Sequence, residues 1–363
     1  MFFPRLQKSS QGRAGLVLAG MVAAGSLAAA GQHERSTYVL TSTNNASGNA
    51  VVVFKLESGE TPSLSLVRTV PTGGKGGASG NAGIVKFGNG REDDLGAVAN
   101  FGSNTVSQLV RHGDTIGVGS TIQLASGCEG PDSVALTGEH LFVVGANCAE
   151  SFAWPEGHAD GNLVSLTDNS AAQIAVGRTW AAVTMKSGSV LQLPLTHEDG
   201  ALSGASSMIT LPDDANNTPL GEAFWGNVLG FNPAHSTNSF ALVNEQQEVF
   251  SVPGPMPSYP VNAPCWLAKG PLSVWYAGNS PGQAVSIFFS DAQGGAFYKS
   301  VPLPGTPTDI TVSPDNKWLA VIYTAADGAH VATFAIDGHG DLKGMTVSPA
   351  IGVASFSGVA FSE

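Results

Sequence analysis

Apolar residues along this chain occur in short β-prone runs that are separated by turns rich in glycine, proline and asparagine. The clearest example, TPTDITVSPDNKWLAVIY from Thr306, places two such runs on either side of a Ser-Pro-Asp-Asn turn. Looser copies recur at roughly 40 to 50 residues. They begin near Gly80, Gly130, Ser170, Glu222 and Ala263. This spacing predicts one supersecondary unit that is repeated along the chain.

A small sheet cannot bury both of its faces alone, so the repeats are expected to stack radially around a channel. The last run, GVASFSGVAFS from Gly352, has no following hairpin partner, and the run after Thr37 has no preceding one. We therefore predict an all-β, seven-bladed β-propeller of four-stranded antiparallel blades, closed by pairing of its N- and C-terminal strands. This single domain should extend over residues 31–363.

The N-terminal segment follows a different pattern. Basic residues within positions 5–13 precede an apolar stretch over 14–27 that ends in three alanines. This order is typical of a secretory signal peptide, which we predict over residues 1–30. A membrane anchor is the alternative, but the stretch is shorter than the ~20 residues that a span needs. We expect a protein that is secreted or held in the secretory-pathway or vacuolar lumen, without stable membrane insertion, and glycosylated at Asn45 and Asn216.

Cysteine positions provide a separate indication of the compartment. Cys128 and Cys148 lie at equal distances on either side of Gly138, the expected turn of one hairpin. Equal distances place two residues opposite each other on neighbouring strands, and a disulfide there suits an oxidising compartment. The alternative is two buried free thiols, because a one-residue bulge would turn the side chains to opposite faces. Cys265 is expected to be a small core residue.

Charge and composition restrict the class of partner. The formal net charge is −12, and no segment clusters Lys or Arg with aromatic residues, which excludes nucleic acid. Beyond residue 30, arginine remains at only five positions, too few to converge on a polyanionic metabolite. We expect a small-molecule substrate that is neutral and partly apolar, and no cofactor. The eight histidines are scattered, so no metal site is expected.

The run VPTGGKGGASGNAGIVKFGNGREDDLGAVANFGSNTVSQLVR, from Val70, resembles the first full blade of the lactonase-type seven-bladed propellers. That group includes 6-phosphogluconolactonase and the fungal carboxymuconate lactonizing enzymes. Similar phrases recur in GFNPAHSTNSFALVNEQQEVF and SPDNKWLAVIYT, so the resemblance extends from Ser36 to Glu363. These sequence motifs are typical of the blades themselves, so they imply the fold more directly than they imply an activity.

The resemblance also implies functional positions. A glutamate that follows Val-Asn in the lactonizing enzymes is matched by Glu245. The position of the family histidine aligns near Asp132, and that of a basic pair aligns near Asn227, so neither is matched by the same type of residue. The arginine expected after the final hairpin is replaced by Tyr323 and Thr324. Without that histidine and those arginines, proton transfer onto a muconate and clamping of its carboxylates lack an agent.

Aromatic and amide side chains dominate the segments expected near the channel. In character they resemble the secreted fungal propellers that catalyse hetero-Diels–Alder cyclisation in tropolone sesquiterpenoid biosynthesis. Such catalysis needs a positioned diene and dienophile and one hydrogen bond to a carbonyl, for which we predict Glu245, Asn227 and Trp225. The predicted substrate-binding residues are Asn81, Asp132, Trp180, Glu222, Phe224, Trp266, Asp309, Tyr323 and Phe356. The alternative for each tryptophan is packing between blades.

Three functions follow from these features. The first is a secreted fungal ring-forming cyclase or isomerase that acts on a neutral polyketide or terpenoid intermediate. The second is a lactonase or muconate-lactonizing enzyme, and the third is a non-catalytic binding propeller.

Overall fold

The computed structural model describes residues 35–363 except 79, 81, 89–93, 167, 237–238, 253–262, 292–293 and 353–354. The predicted signal peptide over 1–30 and Asn81 lie outside the described residues. Within the described part, twenty-eight strands form seven four-stranded antiparallel sheets. The prediction of an all-β, seven-bladed propeller is therefore confirmed.

The first three strands are β1 (Thr37–Ser42), β2 (Ala50–Glu57) and β3 (Ser63–Pro71). The first blade comprises β4 (Val85–Phe87), β5 (Leu95–Asn100), β6 (Thr105–His112) and β7 (Thr115–Gln123), with a 3₁₀ turn at Phe101–Ser103. The second comprises β8 (Pro131–Leu136), β9 (His140–Gly145), β10 (Cys148–Ala153) and β11 (Val164–Ser165). The third comprises β12 (Ala171–Val176), β13 (Trp180–Met185), β14 (Ser189–Pro194) and β15 (Ser207–Ile209).

The fourth blade comprises β16 (Pro219–Trp225), β17 (Val228–Pro233), β18 (Phe240–Val243) and β19 (Val249–Val252). The fifth comprises β20 (Pro264–Lys269), β21 (Val274–Asn279), β22 (Ala284–Asp291) and β23 (Gly294–Pro302). The sixth comprises β24 (Thr306–Val312), β25 (Trp318–Ala325), β26 (Gly328–Ile336) and β27 (Leu342–Val347). The closing blade has the order β28-β1-β2-β3, where β28 is Ser357–Ser362.

The first and last strands of the propeller pair with each other in the closing blade, as predicted. Strand β28 pairs with β1 in antiparallel register, with Phe361 opposite Val39 and Ser362 opposite Tyr38. Buried Arg111 of the first blade donates to Ser362 Oγ at 3.0 Å and to the Ser36 carbonyl at 2.7 Å. One guanidinium group therefore fastens both terminal strands to the neighbouring blade.

The hydrophobic core lies between blades. Phe54 and Phe361 of the closing blade pack in one cluster with Ile322 of the sixth blade. Because each sheet is covered on both faces, the middle strands are buried almost continuously, as in β25. This packing explains why the chain reads as uninterrupted apolar runs and not as simple alternation.

The blades define two ends of the channel. One end is formed by the connections between blades and by the turns between the second and third strands of each blade. The innermost strand of every blade begins at this end; these strands are β28, β4, β8, β12, β16, β20 and β24. We call this the connection end; it includes residues 43–49, 72–78, 80, 82–84, 348–352 and 355–356. The opposite end, which we call the turn end, is formed by turns between first and second and between third and fourth strands, such as 226–227, 244–248 and 270–273.

The disulfide between Cys128 and Cys148 is present, with Cα atoms 5.4 Å apart. The predicted strand arrangement is wrong, because Cys128 precedes β8 and Cys148 is the first residue of β10, the third strand of the blade. A second turn after β9 brings β10 back to the connection before β8, so the bond links that connection to the third strand. Cys265 is buried with a free thiol.

No helix among the described residues is long and apolar enough to cross a membrane. Asn45 is exposed in the turn after β1, where its Oδ1 accepts from the Ser47 N–H at 2.8 Å. Asn216 is partly exposed. Glycosylation at Asn45 and Asn216 stays a prediction, as does the secretory location.

Candidate functional site

A cavity of about 400 Å³ opens at the connection end of the channel. We call it the mouth cavity. Hydroxyl groups and two aromatic rings form much of its wall, which receives residues from the first, fifth, sixth and closing blades. The wall includes Gly80, Trp266, Thr306, Thr308, Thr324, Ser355, Phe356 and Ser357.

The aromatic wall of the mouth cavity is held rigidly. Trp266 Nε1 donates to the Pro307 carbonyl at 2.8 Å and to Ser280 Oγ at 3.1 Å. Thr308 Oγ1 donates to the Phe356 carbonyl at 3.0 Å, which joins the sixth blade to the connection before β28. The predicted binding residues Trp266 and Phe356 therefore lie together in a preformed site.

A β-bulge recurs near the start of five inner strands, β8, β12, β16, β20 and β24. A bulge adds an unpaired residue and re-aims its side chain. The added residues are Asp132, Ala172, Leu220 with Gly221, Cys265 and Thr308. Ala172, Leu220 and Cys265 share one buried cluster with Ala82 of the first blade. Side chains from four different blades meet only at the channel axis, so the bulges direct these residues into the channel.

An ammonium group lies next to Gly80 in the wall of the mouth cavity, and a carboxylate lies near that ammonium group. Lys186 follows β13, and its Nζ lies 4.0 Å from the position that a Cβ on Gly80 would occupy. Burial lowers the pKa of Lys186, and the neighbouring Asp132 carboxylate raises it in part. Asp132 was predicted as a binding residue, whereas Lys186 was missed. In the sequence Lys186 reads as an ordinary turn residue in TMKSGS.

Asp309 of the sixth blade makes a hydrogen bond to the first blade. Its Oδ2 accepts from the Gly83 N–H of the first blade at 3.0 Å, and its Oδ1 accepts from the Ile310 N–H at 2.8 Å. Burial raises the pKa of Asp309, and nearby Lys86 together with these amides offsets part of that rise. The structure therefore places Asp309 as a link between the first and sixth blades.

Glu222 is a buried acid on the inner strand of the fourth blade, with 1% of its surface exposed. Neither carboxylate oxygen makes a hydrogen bond of normal geometry. Burial raises the pKa of Glu222 well above 4.5, and the backbone amides of Ala175 and Thr184 offset only part of that rise. Burial therefore favours the neutral, protonated form of this side chain, which lies between the third and fourth blades.

We expect Glu222→Gln to change how stability depends on pH. Because the folded-state pKa of Glu222 is raised, the wild type binds this proton more tightly when folded and loses stability as pH rises from about 4.5 toward the folded pKa. Each pH unit of that interval lowers the free energy of unfolding by about 1.4 kcal/mol. The glutamine side chain does not titrate, so the variant does not undergo this loss. In urea unfolding at pH 4.5 and pH 8, the free energy of unfolding of the variant should rise relative to that of the wild type at pH 8 only. Glu60→Gln, at an exposed site, is the control; parallel profiles for Glu222→Gln and the wild type would contradict the assignment.

The predicted catalytic residues lie at the turn end. Asn227 accepts from the Arg178 N–H at 3.0 Å through Oδ1 and donates through Nδ2 to Glu245. Trp225 ends β16 beside them and is partly exposed. The structure thus brings Trp225, Asn227 and Glu245 close to one another but separates them from the mouth cavity by the length of the channel.

Three other predicted residues pack between strands or blades. Trp180 and Phe224 form an edge-to-face pair with ring centroids 4.7 Å apart. Tyr323 is buried and stacks on His330 at 5.3 Å. Its neighbour Thr324 lines the mouth cavity instead, because adjacent residues of a strand face opposite sides. The roles assigned to these residues stay predictions.

One group of metal-type ligands occurs among the described residues, Cys128, Cys148 and Glu150. The two cysteines are bonded to each other. Glu150 accepts from the Ala125 N–H through both of its oxygens, at 3.0 and 3.2 Å. This group therefore stabilises the loop before β8.

No protein-family model and no curated protein matches the sequence. Among solved structures, a putative 6-phosphogluconolactonase from Bacteroides fragilis matches with a TM-score of 0.66 at 12% identity, over 92% of this chain and 99% of that one. A periplasmic gluconolactonase from Pseudomonas aeruginosa matches with a TM-score of 0.64 at 14% identity, over 91% and 99%. A streptogramin B lyase matches with a TM-score of 0.60 at 15% identity, over 78% and 87%. At these identities the likeness concerns the fold alone, which is a β-propeller.

Proposed function

We propose that this protein is a lactonase that binds a small, neutral, hydroxylated lactone in the mouth cavity and hydrolyses its ring. The observation that carries the proposal is the placement of Lys186, with Asp132 near it, next to the wall of a hydroxyl-lined cavity. Two of the similar folds belong to proteins named as lactonases, which supports the same class of substrate.

The cavity wall fits the binding step. Threonine and serine hydroxyls both donate and accept, so they suit the hydroxyl groups of a polyol lactone. The fixed indole of Trp266 offers an apolar surface to the C–H face of the ring. A largely preformed site of this size is usual for a small ligand.

Lys186 and Asp132 supply the chemistry. Asp132 accepts a proton from a water molecule as the water attacks the lactone carbonyl carbon. The Lys186 ammonium group stabilises the oxyanion that forms on the carbonyl oxygen. The acyl–oxygen bond then breaks, the ring oxygen takes up the proton that Asp132 accepted, and a hydroxy acid leaves with the Asp132 carboxylate restored.

The ring-forming cyclase expected from the sequence rests on Trp225, Asn227 and Glu245, which lie at the turn end away from the mouth cavity. It stays a prediction from resemblance in character, and none of the three structural relatives named above is a hetero-Diels–Alderase.

The proposal is tested by incubating the purified protein with glucono-δ-lactone, galactono-γ-lactone and unsubstituted δ-valerolactone. Acid release in a pH-stat, corrected for spontaneous hydrolysis, should be faster for a hydroxylated lactone than for δ-valerolactone. Thr308→Val, which removes one hydroxyl from the cavity wall, should raise KM more than it lowers kcat. Binding of a lactone without acid release would instead support a non-catalytic propeller, and absence of both would overturn the proposal.

A further inference from the structure

An open groove of about 610 Å³ lies at the turn end, between the fourth and fifth blades. Trp225 forms one wall, and the end of β22 and the start of β23 form the other. This groove lies at the opposite end of the channel from the mouth cavity, so it is a separate site.

Trp225 is an unusual residue for this chain. All six tryptophans lie in the described part of the chain, and Trp225 alone is exposed, with 40% of its surface accessible. Most tryptophans bury their large apolar surface, so an indole left open beside a groove is a candidate contact for a ligand.

The indole of Trp225 is restrained by contact with a lysine. Lys269 Nζ lies 5.4 Å from the centroid of Trp225 and 5.3 Å from that of buried Trp275. The same ammonium group donates to the carbonyls of Gly270 and Leu272, both at 2.6 Å. These contacts fix the cation between two rings, and a cation–π contact restrains the ring it touches.

Polar groups line the same groove as the indole. Ser290 is buried, and its Oγ accepts from Trp275 Nε1 at 2.6 Å, which leaves the hydroxyl proton to donate. Ser273 adds a second hydroxyl and Asp291 a carboxylate. Gly295 keeps the opposite wall flat, because a Cβ there would meet the Phe289 carbonyl at 2.8 Å.

We infer that this groove binds a neutral saccharide by stacking one pyranose ring on Trp225. A pyranose has an apolar C–H face and a rim of hydroxyls that donate and accept, which matches an exposed indole bordered by hydroxyl and carboxylate groups. A purely apolar ligand would offer no acceptor to the hydroxyl proton of Ser290. The net charge of −12 disfavours an anionic polysaccharide.

The test uses isothermal titration and tryptophan fluorescence with maltohexaose, cellohexaose, xylohexaose and mannohexaose. At least one oligosaccharide should bind saturably and change the emission. Trp225→Ala should weaken that affinity at least tenfold and abolish the emission change. Met208→Ala removes an exposed apolar side chain on the third blade and should bind like the wild type.

Two further measurements test whether Trp225→Ala still folds and whether the groove prefers an apolar ligand. Thermal melting should show one cooperative transition for Trp225→Ala, as for the wild type, so that a loss of binding is not a loss of folding. Indole serves as the apolar probe. Binding of indole without any saccharide, undiminished saccharide binding by Trp225→Ala, or no binding across the panel would each overturn the proposal.

Discussion

Deleting residues 352–363 should abolish cooperative folding of the propeller. The deletion removes β28, which is the inner strand of the closing blade and contributes buried Val359 and Phe361 to the core. It also exposes the pairing edge of β1 and removes Ser362, which Arg111 contacts. Circular dichroism should show no sharp thermal transition for the truncated protein, whereas the wild type should unfold in one.

The loss of stability expected from the deletion can be judged from the single side chain of Phe361. Truncating a buried phenylalanine costs about 3–5 kcal/mol, and an entire domain is stable by only about 5–15 kcal/mol. Phe361→Ala should therefore still fold but with a lower midpoint, while loss of the whole strand exceeds the available stability. Deleting Glu363 alone is the control and should change stability by about 1 kcal/mol or less. An unchanged midpoint after deletion of 352–363 would show that the ring does not close through β28.

The sequence was sufficient to predict this closure because it depends on apolar runs. A run such as GVASFSGVAFS must find a partner strand, and the run after Thr37 had the same requirement. Pattern and pairing are local to each strand, so the number of blades and their closure could be derived without coordinates.

The position of side chains along the channel could not be derived in the same way. Trp225 and Trp266 both lie on inner strands, yet one lies at the turn end and the other at the connection end. Apolar periodicity does not distinguish the start of an inner strand from its end. The predicted site therefore combined residues from both ends.

Bulges are the second reason. Asp132 and Thr308 turn toward the channel because each is the added residue of a bulge, which a period-two pattern does not indicate. The same limit applied to Cys148, whose place on the third strand depends on a second turn after β9. Lys186 was missed because a lysine in a turn is normally a solvated residue.

Lys186→Gln should lower kcat for lactone hydrolysis by about 10²–10³ with little change in KM. The loss of one group that stabilises an oxyanion has this size, and it acts on the transition state more than on the bound substrate. Lys75→Gln is the matched control, because Lys75 is an exposed lysine at the same connection end and its loss changes the net charge equally. That control should retain wild-type kcat and KM.

The pH profile separates this role from a structural one. Activity requires the charged ammonium, so the rate should fall as pH rises through the pKa of Lys186, which burial holds below 10.5. The Asp132 carboxylate raises that pKa in part, so Asp132→Asn should move the alkaline limb of kcat to lower pH in addition to slowing the reaction. A structural role for Lys186 would lower the thermal midpoint without moving the limb. Wild-type kcat in Lys186→Gln, or an alkaline limb that stays in place in Asp132→Asn, would contradict the assignment of this pair to catalysis.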